Sequence, residues 1–374
     1  MFIKKDSRVL VIVSSLSKTS LASSERAIYL TKTLVNNGIN VTVLTVADDD
    51  IEDFDGKVKV YQCLSITPIF KSKFLNRVLS PFPDSSFLRL WKSKKKILKE
   101  LGTNWDVVIS STPPHSINFI AASIVSKSNA KWIIDLRDAW QGNRLHKYGT
   151  HFHEFISNLT YKAYLNRCDL VIANTQKLKD EILKHGIDTE VRTVPNGYPR
   201  DYYSTRVVST KYDYLYSGSH YGFKAVGIIN QLLSRSDSEV KVAFLGDKFR
   251  NIGSCYSLGK VPSKDVPNYL YSAAVLVLYL PKEEKGSARI LLKAYGYAKA
   301  GKPIIYIGPQ NATYEFLNEY SNVIQVHEDD PSSMLKAIKV IKNKEYKVNL
   351  KGINADFSYE KNFETKLIAD LKEE

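Results

Sequence analysis

The segment 286–305 combines residue types that can bind a phosphate group. Glycine and serine begin it, a helical stretch follows, and Ala-Gly-Lys-Pro at 300–303 leads directly into an apolar strand. Glycine ends helices and proline prevents their continuation, so the predicted helix covers Ser287–Lys299. Backbone N–H groups at its start favour an anion, and Arg289 and Lys293 would add positive charge from one helix face. The alternative is an ordinary helix of a parallel sheet with two solvated cations.

Two other loops of the second half could bind the same anion. The loop 217–224 follows a predicted strand, and its glycines and final lysine are typical of an anion cradle; a plain strand-turn-helix connection is the alternative. The loop 281–285 holds paired carboxylates, which as a solvated turn would need no explanation. The residues of this half that are candidates for binding a phosphate-bearing ligand are Gly218, Ser219, Lys224, Glu283, Gly286, Ser287, Arg289 and Lys293, among which Glu283 would contact its uncharged part.

Three loops of the first half also follow strands. After the first strand, Ser15 and Ser17 have small hydroxyl side chains that let a ligand approach the backbone, although the motifs for dinucleotides and for P-loops are absent. The alternative is a flexible loop with Ser23 or Ser24 as the helix N-cap. After the fourth strand, His115 lies at a predicted helix start, where the dipole favours a neutral imidazole; a capping or packing histidine is the alternative.

The loop after the fifth strand, Asp135-Leu136-Arg137-Asp138-Ala139-Trp140, places three charges and a tryptophan at a strand end. Such groups are costly to bury without hydrogen-bonding partners. Asp138 is a candidate for holding a sugar hydroxyl or accepting its proton, and Asp135, Arg137 and Trp140 are candidates for the same surface. The alternative is a structural ion pair of Arg137 with a neighbouring carboxylate.

Apolar strand-like runs alternate with helical stretches almost throughout, which predicts an α/β fold with doubly wound parallel sheets. About seven strands precede the turn at 195–199 and about five or six follow it, too many for one open sheet of ordinary size. We therefore predict two Rossmann-like domains facing a cleft, covering 1–198 and 199–350. The tail 351–374 is predicted to form a helix that packs back on the first domain.

The composition is strongly basic, with a formal net charge of +14. The segment 57–105 holds eleven Lys or Arg against two acidic residues, interleaved with aromatic side chains. This pattern favours an anionic membrane surface, and a solvated lysine face over a core helix is the alternative. No nucleic-acid-binding motif accompanies the charge, so we expect no nucleic-acid partner.

The cysteines and the hydropathy pattern limit where the chain works. The three cysteines are far apart and odd in number, which indicates free thiols in a reducing compartment. No apolar run of 18 residues is present, and the apolar part of the N-terminus is short for a secretory signal. We expect a cytoplasmic protein without a membrane-spanning helix.

Four stretches resemble the GT-B glycosyltransferases, and among them glycosyltransferase family 4. They are the strand-loop-helix unit ending in NNGINVTVLTV, then WIIDLRDAW, then CDLVIANTQKLKDEIL with VRTVPNGY, and finally LLKAYGYAKAGKPIIYIG. The resemblance spans roughly residues 8–340. It implies transfer of a sugar with retention from a nucleotide diphosphate sugar, without a required metal or other cofactor, to a lipid-linked or surface polysaccharide acceptor at the inner face of the plasma membrane.

The resemblance also assigns roles to single residues. Lys224, Gly286, Ser287 and Ala288 fall where the family contacts the donor diphosphate, so Lys224, Arg289 and Lys293 would neutralise the leaving group, while His115 and Asp138 would face the acceptor and the transferred sugar. The two glutamates of the family pattern are absent, because Ala288 and Gly296 stand at their positions. The alternatives are therefore a catalytically impaired binding or scaffold subunit and a nucleotide-sugar epimerase of the same fold.

Overall fold

The computed structural model describes residues 3–17, 21–46, 50–63, 84, 86–140, 151–203, 209–219, 221, 224–234, 242–253, 255–346 and 348–369, with the side chains of 21–23 left out. The chain divides into two compact units, one made of Met1–Asn196 with Tyr359–Glu374 and the other of Gly197–Ser358. Residues 351–358 thus belong to the second unit, and the tail returns to the first unit only at Tyr359.

The first unit contains a seven-stranded parallel sheet in the order β3-β2-β1-β4-β5-β6-β7. The central strands read as continuous apolar runs because helices cover both faces of such a sheet. The strands are β1 (Arg8–Val13), β2 (Asn40–Thr45), β3 (Lys59–Gln62), β4 (Val107–Thr112), β5 (Lys131–Leu136), β6 (Leu170–Ala173) and β7 (Val191–Thr193). The helices are α1 (Leu21–Asn36), α2 (Phe87–Leu101), α3 (Ile117–Val125), α4 (His151–Leu165), α5 (Gln176–Lys184) and the C-terminal α12 (Tyr359–Lys366), which packs against α1.

The second unit contains a six-stranded parallel sheet in the order β10-β9-β8-β11-β12-β13. Its strands are β8 (Tyr212–Ser217), β9 (Val242–Leu245), β10 (Cys255–Gly259), β11 (Ala273–Tyr279), β12 (Ile304–Ile307) and β13 (Val323–Val326). Its helices are α6 (Lys224–Ser234), α7 (Val266–Tyr271), α8 (Leu292–Ala300), α9 (Ala312–Tyr320), α10 (Pro331–Lys342) and α11 (Lys351–Asn354), with 3₁₀ turns at Arg200–Tyr203, Ser263–Asp265 and Lys282–Glu284.

Both sheets have the predicted doubly wound parallel architecture, and the sequence pattern missed two elements. Strand β10 has buried Cys255 and Gly259 at its ends and three half-buried residues, Tyr, Ser and Leu, between them, so it lacks the apolar run of an inner strand. Helix α9 carries two tyrosines and two glutamates in nine residues, which hides its apolar face. In both elements, neighbouring elements determine which face is buried, so the local composition does not reveal it.

The strand order places a switch point in each sheet. The chain runs outward from β1 toward β3 and then restarts beside β1 with β4, and β8 and β11 repeat this arrangement in the second sheet. Ligands of open parallel sheets bind beyond the carboxyl ends of the strands at such points. The loops that follow β1, β4, β8 and β11 are therefore the positions where each unit would bind a ligand.

Candidate functional site

The switch point of the second unit holds a lysine packed against a tyrosine. Lys293, in the first turn of α8, donates from Nζ to the Tyr216 hydroxyl at 3.0 Å, and Nζ lies 4.2 Å from the centre of the Tyr216 ring. The Tyr216 hydroxyl donates onward to the Ser219 carbonyl at 2.6 Å. Burial, followed by repulsion from Arg289, lowers the pKa of Lys293 to about 7. Lys293 therefore lies beside the loop that follows β8.

Gly218 makes this contact possible. Its backbone has a φ of +115°, which side-chain-bearing residues rarely adopt, and a Cβ at this position would lie 3.0 Å from Lys293 Nζ. The Gly218 N–H donates to the Leu245 carbonyl at 2.8 Å. Glycine at this position thus lets the lysine amino group approach the backbone that leaves β8.

Arg289 lies in the loop that follows β11 and forms an ion pair with Glu284. The Glu284 side chain is only 4% exposed, whereas that of Arg289 is 32% exposed. Glu283, the carboxylate singled out from the sequence, is exposed to solvent. The structure therefore selects Glu284 as the residue that orients Arg289, a distinction that two adjacent identical residues cannot reveal in a sequence.

The start of α8 differs from the prediction. The helix begins at Leu292 rather than at Ser287, so Arg289 precedes the helix and shares no helix face with Lys293. The N–H of Gly286 donates to the Gln310 carbonyl at 3.0 Å, and that of Ser287 donates to the Glu284 carbonyl at 3.0 Å. These two amides hold the loop together and are not available to a phosphate in this conformation.

Lys224 is the first residue of α6, and its amino group faces Glu328, which follows β13. Its Nζ lies 3.7 Å from Glu328 Oε1, and Tyr279 at the end of β11 donates to Glu328 Oε2 at 3.3 Å. The Lys224 side chain is 47% exposed. Lys224, Arg289 and Lys293 thus all follow strand ends of the second sheet, and two of the three already have a carboxylate partner.

Gly296 on α8 is buried in the interior of the second unit. A Cβ at this position would clash with the hydroxyl of Tyr203 and would lie 3.5 Å from Leu270 Cδ1. The Tyr203 ring packs beside Tyr198 at 4.5 Å between ring centres. The space that a side chain at position 296 would need is therefore filled by Tyr203.

In the first unit, Asp135 lies in a buried ion pair that the sequence did not indicate. Arg26 on α1 donates from Nη2 to Asp135 Oδ1 at 2.8 Å, and Ser111 donates to Asp135 Oδ2 at 2.7 Å. Burial raises the pKa of the Asp135 carboxyl, but Arg26 and then Ser111 more than offset it, so the pKa is lowered overall. The carboxylate is 1% exposed, which corrects its expected role on an acceptor surface.

Arg26 also donates hydrogen bonds to the backbone at the point where the chain leaves the first unit. Its Nη1 donates to the Pro195 carbonyl and its Nη2 to the Val194 carbonyl, each at 3.0 Å. The sequence signal for this role is a single arginine within the apolar pattern of α1. A buried guanidinium needs hydrogen-bond acceptors, and these come from distant parts of the chain. The ion pair therefore joins β5, α1 and the segment that leaves the first unit.

Three other predicted residues of the first unit do come together. Arg137 donates from Nε to the Thr112 carbonyl at 3.1 Å and from Nη2 to the Pro113 carbonyl at 2.6 Å. The rings of His115 and Trp140 stack at 4.0 Å with an angle of 8°. Trp140 is buried and donates to Ser157 Oγ at 3.0 Å, so it supports His115 rather than offering a surface.

The charged loop keeps one half-buried carboxylate, Asp138, beside this group. Burial lowers the pKa of Arg137, and Asp135 and then Asp138 act in the opposite direction. This links Asp138 electrostatically to Arg137. His115, Arg137 and Asp138 are therefore the predicted residues that remain candidates for contact with an acceptor.

The serines of the first loop have hydrogen bonds within the fold. Ser15 Oγ accepts from Ser24 Oγ at 3.0 Å and from the Ser17 N–H at 3.1 Å, and both loop serines are buried. Because α1 begins at Leu21, neither Ser23 nor Ser24 is its N-cap. Ser15 and Ser17 thus connect the end of β1 to the first turns of α1.

Within the ranges given above, no group of three or more His, Cys, Asp or Glu side chains is arranged to hold a metal ion. No helix in that same part of the chain is long and apolar enough to cross a bilayer.

Comparison with known proteins gives a family-model match to part of the chain and a fold for the whole of it. The model of Glycosyltransferase Family 4 matches residues 24–202, and no curated protein matches the sequence. Sucrose-phosphate synthase from Thermosynechococcus elongatus superposes with a TM-score of 0.69 at 14% identity, covering 98% of each chain. Anabaena HepE in complex with UDP-glucose superposes at 0.63 and 14% identity, covering 98% of this chain and 99% of its own.

The lipopolysaccharide outer core galactosyltransferase WaaB superposes with a TM-score of 0.61 at 17% identity, covering 97% of this chain and all of its own. At these identities the superpositions establish the fold, which is that of the GT-B glycosyltransferases.

Proposed function

We propose that this chain, a glycosyltransferase by its family 4 match and its GT-B fold, transfers a sugar with retention from a nucleotide diphosphate sugar to a lipid-linked or surface polysaccharide acceptor. The supporting observation is the set of three cations, Lys224, Arg289 and Lys293, beyond the strand ends of the second sheet. The HepE structure contains UDP-glucose and WaaB is a lipopolysaccharide outer core galactosyltransferase, which agrees with such a donor and acceptor.

The three cations would act on the departing diphosphate. Positive groups held in place before the reaction stabilise the charge that develops on a leaving group without reorganisation. Glu284 orients Arg289, and Glu328 holds Lys224 near the same edge of the sheet. These side chains would supply the charge neutralisation, so no cofactor besides the donor substrate is proposed.

The acceptor would bind the first unit at the ends of β4 and β5. His115 is held by its stacking on Trp140, and Arg137 ties the two loops together through the Thr112 and Pro113 carbonyls. Asp138 is the carboxylate placed to accept a hydroxyl hydrogen bond there. This assignment leaves Asp135 as a structural residue.

We also propose that the first unit contacts an anionic membrane surface at the cytoplasmic face. On α2, Trp91 is 58% exposed and is followed by exposed Lys92, Lys95 and Lys96. Residues 64–83 and 85 of the basic segment 57–105 lie outside the described residues. Amphipathic helices with lysines and tryptophan bind anionic lipid through charge and apolar contact together.

Helix α4 adds an apolar face to the same unit. Phe152, Phe155 and Leu159 are 63%, 57% and 51% exposed, and their spacing places them on one side of the helix. Both α2 and α4 follow strands of one parallel sheet, so their first turns lie at its carboxyl edge. That edge also carries the proposed acceptor residues, which fits an acceptor anchored in lipid.

A scaffold role is the second candidate, and the environment of Gly296 favours it. The family glutamate at this position is absent, and Tyr203 fills its space. A chain that binds a nucleotide sugar without turning it over would still have the cations of the second unit. Turnover, rather than binding, separates the two candidates.

The test uses a panel of UDP-, GDP- and ADP-sugars with the full-length protein. Thermal shift identifies the donor that binds, and release of the nucleoside diphosphate, with and without a membrane-lipid extract, measures turnover. We expect one donor to stabilise the protein and to be consumed faster with the extract. Binding without turnover would support the scaffold, and no binding in the panel would contradict both candidates.

A further inference from the structure

The amino group of Lys293 is in a neighbourhood that does not favour its charge. Nζ donates to the Tyr216 hydroxyl at 3.0 Å, and the Gly218 backbone closes one side, where a Cβ would lie 3.0 Å from Nζ. Among the described residues, no carboxylate lies within ion-pair distance of Nζ. The other two cations beyond the strand ends each pair with a carboxylate, Lys224 with Glu328 and Arg289 with Glu284.

The groups that face Lys293 come from three elements. Tyr216 reaches it from β8, and its ring is fully buried. Arg289 repels it from the loop after β11, and Glu284 is bound to Arg289 rather than to the lysine. Burial raises the pKa of Tyr221, while Arg289 lowers this pKa and Glu284 raises it. Tyr221 therefore belongs to the same electrostatic group. Tyr297, one turn further along α8, is neutral and bonded to the Ser217 N–H.

We propose that Lys293 is neutral in the free protein and becomes charged when the donor diphosphate binds, so that donor binding takes up one proton from solvent. This inference rests on the proposed function, because it needs a nucleotide diphosphate at the second unit. An anion beside Nζ would replace the missing carboxylate and offset the repulsion from Arg289. The proton moves from water or buffer to the lysine nitrogen, and no bond within the donor changes.

Such coupling gives a neutral lysine a specific advantage. A permanently charged amino group at this place would repel Arg289 whenever the donor is absent. A lysine that protonates on binding carries its charge only while the diphosphate is present, so the empty site avoids that cost. With its pKa lowered to about 7, the free lysine is about half charged at pH 7 and mostly neutral at pH 8, so the coupling is strongest above neutral pH.

The experiment is isothermal titration calorimetry of the full-length protein with UDP, GDP and ADP at pH 8, in buffers of different ionisation enthalpy. At this pH the terminal phosphate is ionised already, since its second pKa is about 6, so the nucleotide contributes little to proton exchange. The slope of the observed enthalpy against buffer enthalpy counts the protons taken up. We expect uptake of about 0.9 proton for a group with a pKa near 7 in the free state.

Two variants separate this coupling from simple charge attraction. Lys293→Arg keeps a permanent charge, so we expect binding with a slope near zero. Lys282→Arg, at an exposed lysine that pairs with Asp329, is the matched control, and its slope should equal that of the unaltered protein. The affinity of the unaltered protein should fall up to tenfold per pH unit between pH 8 and 9, whereas that of Lys293→Arg should stay constant.

Each outcome decides between distinct claims. If a nucleoside diphosphate binds the unaltered protein with a slope near zero, or if Lys293→Arg keeps the slope, the inference is wrong while the proposed function stands. If none of the three diphosphates binds, the proposed function fails and this inference fails with it.

Discussion

The hydroxyl of Tyr203 occupies the space next to Gly296 where a side chain on α8 would begin. Tyr203 belongs to the 3₁₀ turn Arg200–Tyr203 just after the start of the second unit, so two segments far apart in sequence fill one position. The glycine and the tyrosine form a complementary pair. Restoring a glutamate at 296 therefore requires a change at 203.

Gly296→Glu should destabilise the protein by about 1–3 kcal/mol, because a larger side chain in a packed site forces its neighbours to move. Tyr203→Ala should make room, so the double variant should be more stable than the sum of the single losses predicts. Gly227→Glu is the matched control, since nothing lies within 4 Å of a Cβ on this exposed helical glycine. Denaturant unfolding of the four variants measures these differences, and a loss for Gly227→Glu equal to that for Gly296→Glu would contradict the steric account.

Breaking the Arg26–Asp135 ion pair from one side should be costly. Removing one partner leaves a buried charge uncompensated, which costs about 3–5 kcal/mol, so Arg26→Met and Asp135→Asn should each lose stability on this scale. Lys96→Met is the control, because the Lys96–Glu100 pair is 71% and 44% exposed and such pairs contribute about 0–1 kcal/mol. Equal losses for Arg26→Met and Lys96→Met in urea unfolding would refute the role given to this pair.

The stability of the first unit should also fall as pH rises through the neutral range because of Glu25. Burial, with a smaller contribution from Glu360, raises the pKa of Glu25 from 4.5 to about 8 despite a hydrogen bond from Tyr359. The folded state then holds a proton that the unfolded state has released, so stability declines between these two pH values and levels off above the higher one. Glu25→Gln should show a smaller decline between pH 5 and 8 in unfolding experiments. An unchanged decline would assign the pH dependence to other groups.

Lys224→Ala should lower turnover at least tenfold if the second-unit cations neutralise the leaving diphosphate, since one charged contact contributes about 1.5–3 kcal/mol. Lys282→Ala is the control, because Lys282 is exposed and pairs with Asp329 in the adjacent loops. Release of nucleoside diphosphate from the donor identified by thermal shift is the measurement. A rate for Lys224→Ala equal to that of Lys282→Ala would exclude Lys224 from the site.

Membrane binding should depend on the exposed faces of the first unit. Replacing Lys92, Lys95 and Lys96 by glutamine should reduce flotation with vesicles containing anionic lipid, and Phe152→Ser with Phe155→Ser should reduce it further through lost apolar contact. Lys336→Gln with Lys339→Gln on α10 is the control for general charge. Flotation that is the same for both lysine sets would argue against the proposed surface, and a change of oligomeric state in Phe152→Ser would indicate that α4 contacts a second copy instead.

Local patterns in the sequence were sufficient for the architecture. Apolar runs such as Arg8–Val13 and Lys131–Leu136 alternate with helical stretches, and buried parallel strands require such runs, so the two sheets follow from short-range chemistry. The family match covers residues 24–202, which include the first-half motifs of the resemblance, such as WIIDLRDAW, but not the stretch LLKAYGYAKAGKPIIYIG.

The partners of charged side chains depended on tertiary structure. Arg26 and Asp135 are separated by more than a hundred residues, and the arginine in the apolar pattern of α1 does not reveal which distant carboxylate it pairs with. Tertiary contacts also decide three other features of the second unit. They are the pairing of Arg289 with Glu284 rather than with Glu283, the start of α8 at Leu292, and the filling of position 296 by Tyr203. The sequence determines which residue types stand at the strand ends, whereas burial and distance, which arise only on folding, decide which of them carry charge and which face a ligand.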